Sequence, residues 1–178
     1  CEFLKKYGID IGDTEKLKEL SYHCFLCGKC TEVCPIGIDG RDYILKLRRE
    51  NVREAEGVFR EKGYGMLLKE KKDYIYKNYR NATGKCILFP GCNFPSFYPK
   101  TMKKLVKLLK EHGIGVAYDC CGKPIAELGL EVDEKRIIQR INDEFEKRGV
   151  EEVIMLCPNC YTFLKPYLKV KVTDIYAK

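Results

Sequence analysis

Tryptophan is absent from the 178 residues, and histidine occurs only twice. No stretch approaches the ~18 uninterrupted apolar residues of a membrane helix, which excludes a membrane span. No basic segment followed by an apolar one opens the chain, so secretion is not expected. A disordered chain is excluded as well: 45% of the residues are hydrophobic and 33% charged, a folded globular balance. What the chain has in excess is cysteine, at 11 residues. An odd count without a secretory leader argues against a disulfide framework and points to a metal or redox protein. Lysine and arginine number 33 against 26 acids, for a net charge of +7. The length suits one medium domain or two small ones with a real core. The first residue is Cys1 rather than methionine, so an N-terminally truncated or processed chain is expected.

The cysteines fall into two groups, five in the first 34 residues and six after residue 85. Between them, residues 37–85 are rich in charge and tyrosine and read as helices, with Ile44 and Leu47 on one face and Val58, Leu67, Leu68, Ile75 and Tyr79 among charges. Asn81-Ala-Thr-Gly84 reads as a linker. From there strands and helices alternate. Cys86-Ile-Leu-Phe89, Gly115-Val-Ala-Tyr118, Val153-Ile-Met-Leu156 and residues 170–175 read as strands. Pro99 starts one helix, whose stripe is Met102, Leu105, Val106, Leu108 and Leu109. Asp133 is expected to cap a second helix carrying Ile137, Ile138, Ile141 and Phe145, and residues 158–168 form a third. Such alternation implies an α/β fold with a mostly parallel sheet. Two modules are expected, residues 1–84 and 85–178.

Cys24-Phe-Leu-Cys27-Gly-Lys-Cys30-Thr-Glu-Val-Cys34-Pro35 has the C-x2-C-x2-C-x3-C-P spacing of bacterial iron–sulfur ferredoxins. Three thiolates must reach three iron corners of one cube from one tight loop, and Gly28 lets that loop turn. A zinc knuckle would need two separated ligand pairs instead. In two-cluster ferredoxins the fourth cysteine of such a run serves the other cluster. Cys24, Cys27 and Cys30 therefore need a further ligand, for which Cys1, Cys34 and Cys86 are candidates.

Cys1-Glu-Phe-Leu-Lys-Lys-Tyr-Gly8, the Cys24–Pro35 run and residues 41–49 together resemble the dicluster ferredoxin segment of heterodisulfide reductase-type proteins. The resemblance implies that Cys1 closes a truncated first motif and completes the Cys24, Cys27 and Cys30 cluster. Cys34 would then serve a cluster whose other three ligands are missing from this chain.

In the second group, Cys92, the pair Cys120-Cys121 and the pair Cys157 and Cys160 each follow an expected strand. All three loops should converge at the carboxyl edge of one sheet, where open α/β folds place ligands. Adjacent cysteines aim poorly at one small tetrahedral ion but can reach different corners of a larger cluster. From residue 85 onward, Leu88-Phe-Pro-Gly-Cys92, Asp119-Cys-Cys-Gly122 and Cys157-Pro-Asn-Cys-Tyr161 resemble the cysteine-rich CCG domain of heterodisulfide reductase and its relatives. That resemblance implies a non-cubane [4Fe-4S] cluster on Cys92, Cys120, Cys121, Cys157 and Cys160, with disulfide reduction centred on Cys120 and Cys121. Many relatives carry two CCG units and this chain has one. Zinc on four of the five sulfurs, a Cys157/Cys160 redox dithiol and free structural cysteines are the alternatives.

Residues 69–80 are basic with interleaved tyrosines, a pattern compatible with nucleic acid; a solvated helix or a partner-docking face is the simpler reading. A cubane with its thiolates carries about −2, so two clusters lower the holoprotein charge to about +3 or less. Expected partners are other redox subunits or a flavoprotein or ferredoxin electron donor, with a small disulfide or thiol substrate and no nucleic acid. The expected setting is the cytoplasm of an anaerobe, with any membrane association made through partners. The expected architecture is a small helical ferredoxin-like 4Fe-4S module followed by a small α/β CCG domain. The expected function is an iron–sulfur oxidoreductase, with a non-catalytic electron-transfer subunit and a structural-zinc protein as alternatives.

Overall fold

The computed structural model describes residues 1–177. Along the chain lie α1 (Glu2–Tyr7), α2 (Thr14–Glu19), α3 (Lys29–Glu32), α4 (Gly40–Glu54), α5 (Gly65–Lys71), β1 (Cys86–Phe89), α6 (Asn93–Phe97) and α7 (Pro99–Glu111). They continue as β2 (Gly115–Val116), α8 (Lys123–Ala126), α9 (Glu131–Lys147), β3 (Glu152–Met155), α10 (Pro158–Leu164) and β4 (Lys171–Asp174). The fold is mixed α/β, as expected. Its residues form two compact units: residues 1–66 with 124–131, and residues 67–123 with the chain from Val132 onward. Among the described residues no helix is long and apolar enough to cross a membrane.

The first unit is helical. Asp39 caps α4 by accepting from the Asp42 N–H at 2.9 Å. Ile44, Leu47, Arg48 and Val52 recur at helical spacing on its buried face. Ile44 and Leu47 pack with Phe3, Ile9, Leu17 and Leu26 into one core. α4 stops at Ala55 because Glu56 and Gly57 both take positive φ, 55° and 82°. That break leaves Val58 58% exposed, outside any helix. Residues 124–131 pack against α4: Gly129 lies so close that a Cβ there would sit 2.7 Å from the Arg48 carbonyl.

The second unit is built on a four-stranded, all-parallel sheet in the order β2-β1-β3-β4. β1 and β3 are buried on both faces, which is why they read as unbroken apolar runs. Leu88 and Ile154 pack on one side with Met102 of α7 and Val116 of β2. On the other side Phe89 meets Phe145 of α9 edge to face at 6.4 Å. Pro99 occupies the first turn of α7, as the sequence predicts. The expected cap at Asp133 is corrected: α9 starts two residues earlier, after the turn at Gly129 (φ 85°). Asp133 lies in its first turn, paired with Lys72 at 3.0 Å and Arg136 at 2.9 Å.

Candidate functional site

The loops after β1, β2 and β3 leave neighbouring parallel strands and meet at their carboxyl edge. They bring Cys92, Cys120, Cys121, Cys160 and Cys157 together as one continuous line of sulfur contacts. The Cys92 thiol donates to Cys120, Cys120 donates to Cys121, and Cys160 shares its one proton between Cys121 and Cys157. Backbone N–H groups of Gly122, Lys123, Asn159 and Cys160 add hydrogen bonds to Cys120, Cys121 and Cys157. The Cys160 hydrogen bond, aided by the Asn159 and Cys160 N–H groups, lowers Cys157 to about 5. Donation from Cys120 and Cys160 lowers Cys121 well below an ordinary thiol. The donors rise instead: Cys120 to about 12, chiefly through Cys121, and Cys92 and Cys160 through Cys120 and Cys121 respectively.

Close backbone approach makes the cradle. Gly91 has φ 72°, and a Cβ there would lie 2.8 Å from the Cys160 sulfur. Behind the adjacent cysteines, Asp119 is fully buried and holds the loop through its carboxylate. It accepts from the Cys120 N–H at 2.7 Å, the Tyr79 hydroxyl at 2.7 Å, and Arg140 at 3.0 and 3.1 Å. Burial raises the Asp119 pKa against these partners, and burial with the Asp119 charge raises Tyr79. In front, Tyr74 packs directly on Cys92 and Cys120. Lys71 reaches the Cys92 sulfur and stacks over the Tyr74 ring at 5.0 Å. Burial opposes the Lys71 charge, but Glu70 and the Cys92 and Cys120 sulfurs outweigh it and raise its pKa.

Lys71, Tyr74, Tyr79 and Arg140 are site-shaping residues that the cysteine motifs do not single out, whereas Asp119 opens the Asp119-Cys-Cys-Gly122 run. The signal for Lys71, Tyr74 and Tyr79 is the set of tyrosines interleaved with bases over residues 69–80. Tyr74 and Tyr79 are 3% and 7% exposed, so that segment turns part of itself inward rather than forming a wholly solvated face.

In the first unit the loop around Cys24, Cys27 and Cys30 is held by left-handed residues on either side of Cys27: Leu26 (φ 53°) and Gly28 (φ 76°). A leucine there is strained, and its side chain is anchored in the core. Cys24 is raised first by burial, opposed by the Leu26 N–H at 3.4 Å; Cys30 and Cys27 lie near enough to act on it. Cys34 accepts from the Ile38 N–H at 3.2 Å. Cys1 is exposed at the start of α1. Gly40 abuts the triplet: a Cβ there would lie 2.7 Å from the Cys30 sulfur. Arg48, 5% exposed, donates to the carbonyls of Ser21, Cys24 and Glu127 and ties the loop to α4. Cys86 lies in β1 and packs against the core.

Among the described residues no three His, Cys, Asp or Glu side chains are disposed around one point as ligands of a single metal ion. The donor chemistry fits a larger sulfur-ligated group at the second site. Its five donors are all sulfur, several accept backbone N–H bonds, and glycine rather than a side chain lines the cradle.

The CCG cysteine-rich domain family matches residues 86–165. The chain is 28% identical to an uncharacterized iron–sulfur protein of Methanococcus maripaludis, over 92% of this chain and 37% of the other. It is 29% identical to a subunit of the fumarate reductase (CoM/CoB) of Methanothermobacter marburgensis, with the same coverages of 92% and 37%. EtfAB:quinone oxidoreductase of Syntrophomonas wolfei is 28% identical over 83% of this chain and 25% of its own length. The chain thus spans from a quarter to little more than a third of the length of these relatives. No solved structure matches it. Residues 86–165 match the CCG cysteine-rich domain family, and most of the chain is similar to proteins named for iron–sulfur and redox roles.

Proposed function

We propose that the chain is an oxidoreductase module. Electrons enter at a ferredoxin-type [4Fe-4S] cluster and pass to a non-cubane [4Fe-4S] cluster in the CCG domain, where a disulfide or thiol-type substrate is reduced. The observation that carries this reading is the unbroken line of five thiols at the carboxyl edge of the parallel sheet. Cys24, Cys27 and Cys30 hold the first cluster with Cys1, and Cys34 serves a further one. Cys92, Cys120, Cys121, Cys157 and Cys160 hold the second. When bound, that group supplies iron on which a substrate sulfur can rest while electrons arrive singly.

The protein's own contribution is charge and position. The N–H groups of Gly122, Lys123, Asn159 and Cys160 favour sulfur in its anionic form at Cys120, Cys121 and Cys157. Lys71 sets a positive charge against Cys92 and Cys120. Cys120, Cys121 and Cys160 are at most 4% exposed, which keeps water from them. Separate Cys120→Ser and Cys121→Ser variants are expected to lose disulfide reduction while keeping the ferredoxin-type EPR signal. Reduction that survives both changes overturns the assignment.

Similarity to EtfAB:quinone oxidoreductase and to a component of a fumarate reductase favours a second reading, a non-catalytic electron-transfer subunit of a larger redox complex. The spectrum of the CCG site separates the two. An enzyme site responds to added thiols or disulfides, and a relay ignores them.

A further inference from the structure

The helix that follows the Cys92 loop carries a charged face that the cysteine site does not use. α7 has lysine at 100, 103, 104, 107 and 110 and no acid before Glu111. At about 100° per residue the five lysines fall within an arc of about 120°, some 15 Å long. They lie opposite Met102, Leu105 and Leu109, which pack against the sheet. All five are exposed, and among the described residues none is paired with a carboxylate. Several lysines elsewhere are paired: Lys18 with Glu54, Lys46 with Asp42, Lys77 with Asp73 and Lys85 with Glu151. On α7, Lys100 faces Lys104 and Lys103 faces Lys107 one turn on, so like charges oppose the helix that carries them. β1 ends at the cysteine edge and α7 runs back to begin β2, so the first turn of α7 lies at that edge. Phe97 and Tyr98, 73% and 60% exposed, stand at the same end.

We propose that the lysine face of α7, with Phe97 and Tyr98 at its cysteine end, is the docking surface for an acidic one-electron carrier protein of the ferredoxin or flavodoxin class. The proposal rests on the redox reading of the cysteine edge and names its partner. Charge complementarity selects the occupant. A row of unpaired point charges steers an acidic protein from a distance, and a small apolar tip suits the weak, short-lived contact of redox partners. The row consists of lysines, which lack the rigid fork that arginine offers a phosphate. Its aromatics sit at one end rather than between the charges, unlike a base-stacking platform. A helix lying in a membrane surface needs a free apolar face, and that of α7 is packed on the sheet.

The test uses anaerobically purified holoprotein titrated with an acidic two-cluster ferredoxin and, separately, with flavodoxin. Saturable binding to one of them is expected, weakening by about tenfold or more between about 20 mM and about 300 mM salt. The Lys103→Glu/Lys107→Glu variant is expected to lose about tenfold or more in affinity, whereas Lys85→Glu, at a paired lysine, binds as the wild type does. Binding of neither carrier, or equal binding by the double variant, overturns the proposal. So does a face that captures single-stranded oligonucleotide or anionic vesicles but no carrier. Iron content is measured on the same samples: a chain that binds a carrier through α7 yet holds no iron keeps the surface and sinks the redox reading.

Discussion

Replacing Asp119 with alanine is expected to destabilise the second unit and release the Cys120-Cys121 loop. The Asp119 carboxylate is fully buried and accepts four hydrogen bonds, from Tyr79, Arg140 twice and the Cys120 N–H. Burial raises its pKa despite the Arg140 guanidinium, so desolvation consumes much of what pairing returns. Breaking one half of such a pair is a different matter, because the remaining charge and donors stay where they are. A one-sided loss costs about 3–5 kcal/mol. Arg140 keeps Asp73 at 3.0 Å and its side chain is 19% exposed, which puts Asp119→Ala near the low end, at about 3 kcal/mol. Asp119→Asn keeps the shape and one acceptor oxygen and should cost about 2 kcal/mol. In the double variant Asp119→Ala/Arg140→Met no buried charge is stranded, so its cost should fall short of the sum of the singles by about 1–2 kcal/mol. Urea unfolding of reduced, metal-free protein, followed by circular dichroism, measures these three variants and the Arg140→Met single against the wild type. A cost below about 1 kcal/mol for Asp119→Ala, or strict additivity in the double variant, would refute the reasoning.

Gly40→Ala should displace Cys30, because the added methyl would sit 2.7 Å from its sulfur. The expected readout is loss of the ferredoxin-type EPR signal with helix content unchanged; an intact signal contradicts the contact. Arg48→Met removes the donor to three carbonyls around the first cysteine loop and should cost about 3 kcal/mol in chemical denaturation. Arg48→Lys should recover only part of that, since an ammonium cannot fork to several carbonyls at once. The Asp39 carboxyl is held below its ordinary 3.8 by the Asp42 N–H and then the Thr31 hydroxyl. Its contribution to α4 is therefore present above the unfolded pKa and is lost as pH falls through the lower folded one. Asp39→Asn preserves a cap and should flatten that acid limb in pH-dependent melting; an unchanged limb would assign the acid sensitivity elsewhere.

Much of the second unit is legible because its signals are local. Ile87, Leu88 and Phe89 form a short apolar run ending at Pro90-Gly91, and Pro99 marks the start of α7. Once each cysteine group is assigned to the loop after a strand, a parallel sheet brings those loops to one edge. The surroundings of the cysteines are not legible in this way, because they depend on contacts distant in sequence. Tyr79 meets Asp119 across 40 residues, and Arg140 meets it across 21. Residues 124–131 carry no local sign that they will join α4. That association is made by carbonyls accepting from Arg48 and Tyr22 and by Glu127 and Glu131 paired with Arg41, Arg49 and Arg53 of α4, contacts that only the folded chain brings together. The start of α9 departs from the sequence expectation because Asp133 is a good capping residue, whereas the break comes from Gly129, whose positive φ only glycine adopts without strain.

The most direct test of the account is the iron, acid-labile sulfide and zinc content of anaerobically purified protein, with EPR on the same sample. Two clusters predict about eight irons and about eight sulfides per chain with little zinc. About four irons with one zinc would make the CCG cysteines a structural metal site and would contradict the redox role assigned to them.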